Sequence, residues 1–441
     1  MTKDTNTPSP RLGALLLLLL GVGAYPLRAQ IPSVTLEEAV RRAKQAQPNV
    51  VQARGSVRSA EAQVRTAKGA YLPNLTANSS GATSFSAGPS RTDPNTQEII
   101  SGDRTSKSIS MGLSASVDLF TGFRRGADSR TAKATRTAAE ASLTDQEFQA
   151  ELAATQQFFD ALAAQELVAV RQASVKLAEQ QLAISVAKLR VGQATRSDSL
   201  RSLVNLGTAQ SNLVTAQSDV ARTQAVLGRT LGLDSRVQAT DDSAFYRTSL
   251  VPDTVALTQE ALSRSPQVQA SEANTQAASA SVKSARAQYF PTVALSGSTS
   301  WNGSNGNDYQ LFSNRQLTLG LSWPIFNRFQ REQTIETRLA NLDNAEATAA
   351  DTRRAVQSSL TTQYATLDAA RVRIDISRTS IEAAQEDLRV VNARYQAGAA
   401  TILDVLTSQQ ALAQAQVDAV NARFDYLKAK AQIEALIGRH L

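Results

Sequence analysis

Nearly all of this chain is written twice, so its fold must be assembled from two copies of one unit. The stretch Ala62-Gln-Val64-Arg-Thr-Ala67-Lys68-Gly-Ala-Tyr71-Leu72-Pro73 returns 218 positions later as Ala280-Ser-Val282-Lys-Ser-Ala285-Arg286-Ala-Gln-Tyr289-Phe290-Pro291. Ser116-Val-Asp-Leu119-Phe120-Thr-Gly-Phe123-Arg-Arg125 returns at an offset of 206 as Ser322-Trp-Pro-Ile325-Phe326-Asn-Arg-Phe329-Gln-Arg331. The same 206 carries Gly192-Gln-Ala-Thr195-Arg-Ser-Asp198-Ser-Leu200 onto Gly398-Ala-Ala-Thr401-Ile-Leu-Asp404-Val-Leu406. Self-similarity on this scale is the mark of a duplicated structural unit. The offset changes inside a Gly/Ser/Asn-rich stretch, where loops absorb insertions.

Proline placement divides each copy. None occurs between Pro94 and Pro252 or after Pro324, and proline breaks helix interiors, so both tracts are free to form long helices. The second carries a heptad, Leu360, Leu367, Ile374, Ile381, Leu388 and Tyr395. Its equivalents in the first are Ala154, Ala161, Val168, Val175, Leu182 and Leu189. The last helix steps through Leu403, Leu406, Gln410, Ala413, Val417, Val420, Phe424, Leu427 and Ala431. A sustained 3.5-residue period predicts left-handed coiled coils. The expected helices are one long element per copy, over 124–190 and 331–396. Two shorter ones per copy, 35–71 with 196–231 and 255–289 with 401–437, match its height when laid end to end.

Between these helices the period becomes two. Ile109, Met111, Leu113, Ala115, Val117 and Leu119 alternate with Ser110, Gly112, Ser114, Ser116 and Asp118. Leu317, Leu319, Leu321, Trp323 and Ile325 alternate with Thr318, Gly320, Ser322 and Pro324. Apolar residues on one face and small polar ones on the other, without Lys or Glu, predict transmembrane β-hairpins. Tyr71, Tyr289, Trp301, Trp323, Phe120 and Phe326 are the candidates for an aromatic girdle. Strands are expected at about 73–86 and 108–120, then 291–301 and 316–326. Four strands per chain cannot close a barrel, and an open edge cannot sit in lipid. Eight strands from two chains would fill with side chains; twelve from three would leave a lumen.

Residues 1–29 read as a signal peptide: Lys3 and Arg11, then the apolar run Leu12–Val22, then Ala29 before Gln30. The run is too short to span a bilayer, which takes about 20 residues. The remaining chain divides into a first repeat over 30–232, a linker over 233–253 and a second repeat over 254–441. Removing the peptide leaves 43 basic (46 − 3) against 38 acidic residues (39 − 1), a surplus of +5 spread along the chain. That pattern excludes a nucleic-acid footprint. With no cysteine, disulfides, thiolate metal sites and Cys nucleophiles are also excluded. The sole histidine, His440, sits at a tail expected to fray. No catalytic, metal or cofactor constellation is present, and the chain reads as a non-enzyme.

The repeat, the Tyr-Leu/Phe-Pro entries, the Leu/Ile-Phe exits and the Gly-x-x-Thr-x-x-Asp-x-Leu turns together resemble the TolC-like outer-membrane efflux protein family, over residues 34–438. The resemblance implies an α+β membrane protein: a homotrimer with a 12-stranded β-barrel on a 12-helix periplasmic tunnel. It places the chain in the outer membrane of a Gram-negative bacterium with a large periplasmic portion. It also implies outer-membrane lipid, a periplasmic adaptor protein and, through it, an inner-membrane pump as partners. The tip residues Val191, Gly192, Gln193, Ala397, Gly398 and Ala399 then become the adaptor-docking site. Asp404 and Asp198, with Thr401 and Thr195, become the periplasmic gate, each Asp forming a ring of three charges in a trimer. Favourable placement at a helix N-terminus accounts equally well for an Asp at either position. Two departures weaken a lock. Thr407 stands where gated members carry a second acid, and Ala400 where some carry an Arg. The competing function is a coiled-coil envelope tether with no transport activity.

Overall fold

The computed structural model describes residues 31–95, 97, 99–100, 102, 104–242, 245 and 254–440. The expected signal peptide and part of the linker lie outside the described residues. In chain order the elements are β1 (Ser33–Val34), α1 (Leu36–Ala46), α2 (Pro48–Gly69), β2 (Asn74–Ser86), β3 (Arg91–Thr92), β4 (Ile99–Ile100), β5 (Arg104–Phe120), α3 (Arg124–Arg190) and α4 (Arg196–Thr230). The second half follows with β6 (Gln238–Ala239), α5 (Thr254–Arg264), α6 (Pro266–Arg286), β7 (Thr292–Ser304), β8 (Phe312–Ser322), α7 (Gln330–Gln396) and α8 (Ile402–Ile437).

The two long helices have 67 residues each, roughly 100 Å at 1.5 Å per residue. α3 packs against α2, α4, α6 and α8, and α7 against α6 and α8. The single helices expected over 35–71 and 255–289 are each broken in two. Gln47 leaves the helical region with ψ 127°, and Ser265 does the same with ψ 125°. Pro48 and Pro266 follow them and open α2 and α6. The pyrrolidine ring clashes with a helical residue before it, while proline itself suits the first helical position.

Leu360, Leu367, Leu388 and Tyr395 are buried as the heptad predicts, with Ile374 and Ile381 half-buried. In the first copy the buried line runs through Ala154, Phe158, Ala161, Ala178, Gln181 and Ser185, and Val168, Val175, Leu182 and Leu189 lie at its margin. The last helix departs more. Leu403 and Gln410 are exposed, and Val405 and Leu412 take the inward places. A 3.6-residue helix drifts against a 3.5-residue stripe, so the face of α8 turned to α7 shifts along its length.

Both copies meet in one core near mid-height. Phe158, Phe159, Leu227, Val356, Leu360, Phe424, Ile433 and Ile437 pack there. Phe245, from the linker, stands edge-on to Phe158 and Phe159 at 6.1 and 5.6 Å between ring centres. β1 and β6 pair in parallel beside it. His440 is not frayed: its Nδ1 lies 3.5 Å from Glu151 and 3.7 Å from Glu434.

The main sheet has the order β2-β5-β7-β8, all antiparallel, so β5 and β7 join the two copies. The register puts Leu75, Ala77, Leu113, Met111, Leu295, Trp301, Leu317, Leu319 and Leu321 on one face. Thr76, Asn78, Ser110, Gly112, Ser114, Ser296, Ser298, Ser300, Thr318 and Gly320 share the other. Leu113, Leu317, Leu319 and Leu321 are all more than half exposed in the single chain.

Four strand ends differ from expectation by three or more residues. β5 begins at Arg104 and takes in Lys107, and β7 runs on to Ser304 while β8 covers Phe312–Ser322 with Arg315 inside. The charges lie toward the loop end of the sheet. β8 stops before Trp323-Pro324 because proline has no N–H to give the ladder. No described helix is long and apolar enough to cross a membrane.

Candidate functional site: the helical tip

Opposite the sheet, α3 turns into α4 and α7 into α8 through two equivalent turns. Gly192 and Gly398 take φ of +74° and +77°, with open space where a Cβ would stand. The requirement for glycine is therefore conformational, not steric. Gln193 N donates to Lys188 O (2.8 Å) and Gly192 N to Leu189 O (3.1 Å). In the second copy Ala399 N donates to Arg394 O (2.8 Å) and Gly398 N to Tyr395 O (3.2 Å). Both turns are Schellman caps, which satisfy the final carbonyls of the preceding helix.

The next helices start with reciprocal capping boxes. Asp198 N donates to Thr195 Oγ1 (3.2 Å), and Thr195 N and Oγ1 donate to Asp198 Oδ2 (2.9 and 2.8 Å). Asp404 N donates to Thr401 Oγ1 (3.3 Å), and Thr401 N and Oγ1 both donate to Asp404 Oδ2 (2.8 Å). Each pair satisfies N–H groups that a helix start leaves unbonded. The Thr401 amide, then its hydroxyl, then the charge of Arg394 lower the Asp404 pKa below its ordinary value. At neutral pH it is a carboxylate. The four candidate gate residues are thus two capping pairs, one in each copy. Val191, Gly192, Gln193, Ala397, Gly398 and Ala399 are all exposed around them.

Sequence reasoning missed what joins the two turns. Lys188 Nζ donates to the carbonyl oxygens of Tyr395 and, at 3.5 Å, Gln396, and lies 4.1 Å from the centre of the Tyr395 ring. A cation thus sits on the negative end of the α7 dipole. Its repeat equivalent, Arg394, closes its own turn instead, donating to Ala399 O at 3.3 Å. The signal was the shared basic position before each turn glycine. Burial, then the charge of Asp198, raises the Tyr395 pKa. Beneath the turns Leu388, Tyr395, Ile402, Val405, Leu406 and Leu412 form a small apolar core.

The sequence matches the family model for outer membrane efflux proteins over residues 39–233 and 257–439. The chain belongs to that family. Its members are outer-membrane efflux ducts and not enzymes. The outer membrane efflux protein BepC of Brucella suis is 25% identical over 409 residues, covering 92% of this chain and 86% of BepC. The pyoverdine export outer membrane protein OpmQ of Pseudomonas aeruginosa is 35% identical over 198 residues, covering 42% of this chain but only 40% of OpmQ. The solved structure of CusC superposes with a TM-score of 0.80 at 19% identity, covering 93% of each chain. The two-copy arrangement of hairpins and long helices is therefore the efflux-protein fold.

Proposed function

We propose that three copies of this efflux-family chain close their sheets edge to edge into a 12-stranded barrel in a Gram-negative outer membrane. Their paired helical columns then form one 12-helix conduit through the periplasm. The observation that carries this reading is the sheet itself. It is apolar along the middle of one face and lined mainly with hydroxyl, amide and glycine positions on the other, where Arg104 and Asp118 stand at the two ends of β5, and among the described strands β2 and β8 pair on one side only. Unpaired strand edges are untenable in hydrocarbon. Eight strands would pack the interior solid, whereas twelve leave an aqueous lumen.

At the far end, Asp404 and Asp198, held by Thr401 and Thr195, supply two rings of carboxylates at the tunnel mouth. The exposed turns at Val191–Gln193 and Ala397–Ala399 take a periplasmic adaptor, which links the duct to an inner-membrane pump. Residues 1–29 direct export, and 30–232 and 254–441 are the two repeats around the 233–253 linker. Stepwise conductance in planar bilayers, with a native mass of three chains, is the expected result. A coiled-coil tether would pass no current.

A further inference from the structure

We propose that the junction of sheet and helices carries a basic collar that engages the anionic headgroups of phospholipids in the periplasmic leaflet of the outer membrane. This rests on the membrane reading above. Four cations define the collar: Lys68, Arg124, Arg286 and Arg328. Along the chain, Lys68 lies six residues before β2, Arg124 four after β5, Arg286 six before β7 and Arg328 six after β8. All four side chains are exposed, and among the described residues none has a hydrogen bond or ion pair. Two of the neighbouring acids are engaged: Asp128 accepts from Ser284 (2.5 Å) and Glu332 from Arg331 (2.9 Å).

Helix-dipole compensation explains Lys68 and Arg286, which lie in the last turns of α2 and α6. It does not explain the other two. Arg124 is the first residue of α3, whose first turn holds no acid; there a cation opposes the dipole. Arg328 takes φ +58° where the first copy has Gly122 at +63°. An arginine in that region is strained, and glycine or asparagine is the ordinary solution. A negative surface facing both residues removes the first cost and gives the second a reason to persist.

The adjoining apolar surface says what that negative surface is. Phe123, Ile325, Phe326 and Phe329 each leave more than two thirds of their area open. They continue the outward face of the sheet into the same level as the cations. An aromatic belt bounded by basic side chains fits the acyl–headgroup boundary of a leaflet, not a soluble anion.

The test is native mass spectrometry of the detergent-purified full-length oligomer, incubated with equal amounts of phosphatidylglycerol and phosphatidylcholine of the same acyl chains. Wild type should retain the anionic lipid over the zwitterionic one by roughly ten-fold, since each near-surface cation contributes several-fold. The combined K68Q/R124Q/R286Q/R328Q variant should bring the ratio to within about two-fold. Replacing the three arginines by lysine should keep the preference. Equal retention by wild type, or an unchanged preference in the glutamine variant, overturns the collar. Should that variant fail to assemble, wild type in about 0.5 M salt decides, because screening then acts within roughly 4 Å; a salt-insensitive preference also overturns it. Failure of wild type to enter any bilayer is a different result and refutes the membrane reading itself.

Discussion

The guanidinium of Arg331 lies 4.0 Å from the centre of the Tyr289 ring, bracing the chain that leaves the β7–β8 hairpin against the chain that enters it. The first copy repeats this with Arg125, 4.6 Å from the Tyr71 ring. Arg125 also donates to Ala70 O (3.3 Å), Asp118 O (2.7 Å) and Leu119 O (2.9 Å), while Arg331 donates to Pro324 O (3.3 Å). Each Arg thus ties the incoming helix, the outgoing strand and the long helix into one joint. Charged hydrogen bonds contribute about 1.5–3 kcal/mol each when well formed, less when exposed. Arg125→Ala is accordingly expected to lower oligomer stability by roughly 2–3 kcal/mol and Arg331→Ala by less. Thermal dissociation of the detergent-purified oligomer measures both, and equal losses would show that the extra carbonyl contacts of Arg125 carry no weight.

That joint marks the boundary of what the sequence makes legible. Tyr71 and Arg125 stand in two separate repeated stretches, found at offsets of 218 and 206. Repetition flags both, but only folding shows that they touch. Tyr71 and Tyr289 are read from their places near strand ends as candidate girdle residues, and each ring also carries an arginine on one side. The strand faces are legible in detail because period-two alternation survives the registers of the sheet, except where β5 is irregular against β7 between Asp118 and Phe120. The helix breaks at Pro48 and Pro266 are also written in the sequence, since each proline pushes the residue before it out of the helical region. Lys188 with Tyr395, 207 positions apart, depends on how the copies pack, and no local pattern encodes that.

Opposite faces of one strand should respond oppositely to charge. Leu113→Arg and Leu319→Arg place a cation on the apolar face, at a cost of roughly 2–4 kcal/mol each near a bilayer midplane. Both should block insertion. Ser114→Arg and Gly320→Arg point the other way, and a Cβ at Gly320 meets nothing nearer than Ala294 O at 3.9 Å. These two should assemble. Outer-membrane fractionation and heat-modifiable gel mobility give the readout, and equal behaviour of the two pairs would overturn the face assignment.

The tip glycines make a narrower prediction. With no atom within 4 Å of a Cβ at Gly192 or Gly398, alanine there adds only left-handed backbone strain, about 1–2 kcal/mol. Asparagine should recover part of it. Thr401→Ala removes a capping partner and should cost about 1 kcal/mol. Hydrogen exchange at the first turn of α4 would register the Gly192 change and at the first turn of α8 the other two; protection unchanged by Thr401→Ala would mean the cap is idle.

The gate proposal is tested most directly at Asp404, because its two roles separate with pH and with charge. Its folded pKa is lowered by the Thr401 amide and hydroxyl, so the cap it makes is complete above the unfolded value of about 4. That contribution fades as pH falls through the folded value. Asp404→Asn keeps an oxygen acceptor and should therefore fold as wild type does near neutral pH. What it removes is charge. Three carboxylates at a narrow mouth would draw in cations and hold divalent ions, so the variant should show weaker cation preference and less block by divalent metal. Asp198→Asn should act in the same sense but more weakly. Reversal potential across a salt gradient at neutral pH measures the preference, and repeating it at a pH below the lowered folded value of Asp404 should make wild type resemble Asp404→Asn. Unchanged selectivity in both variants, with assembly intact, would leave the two aspartates as helix caps alone.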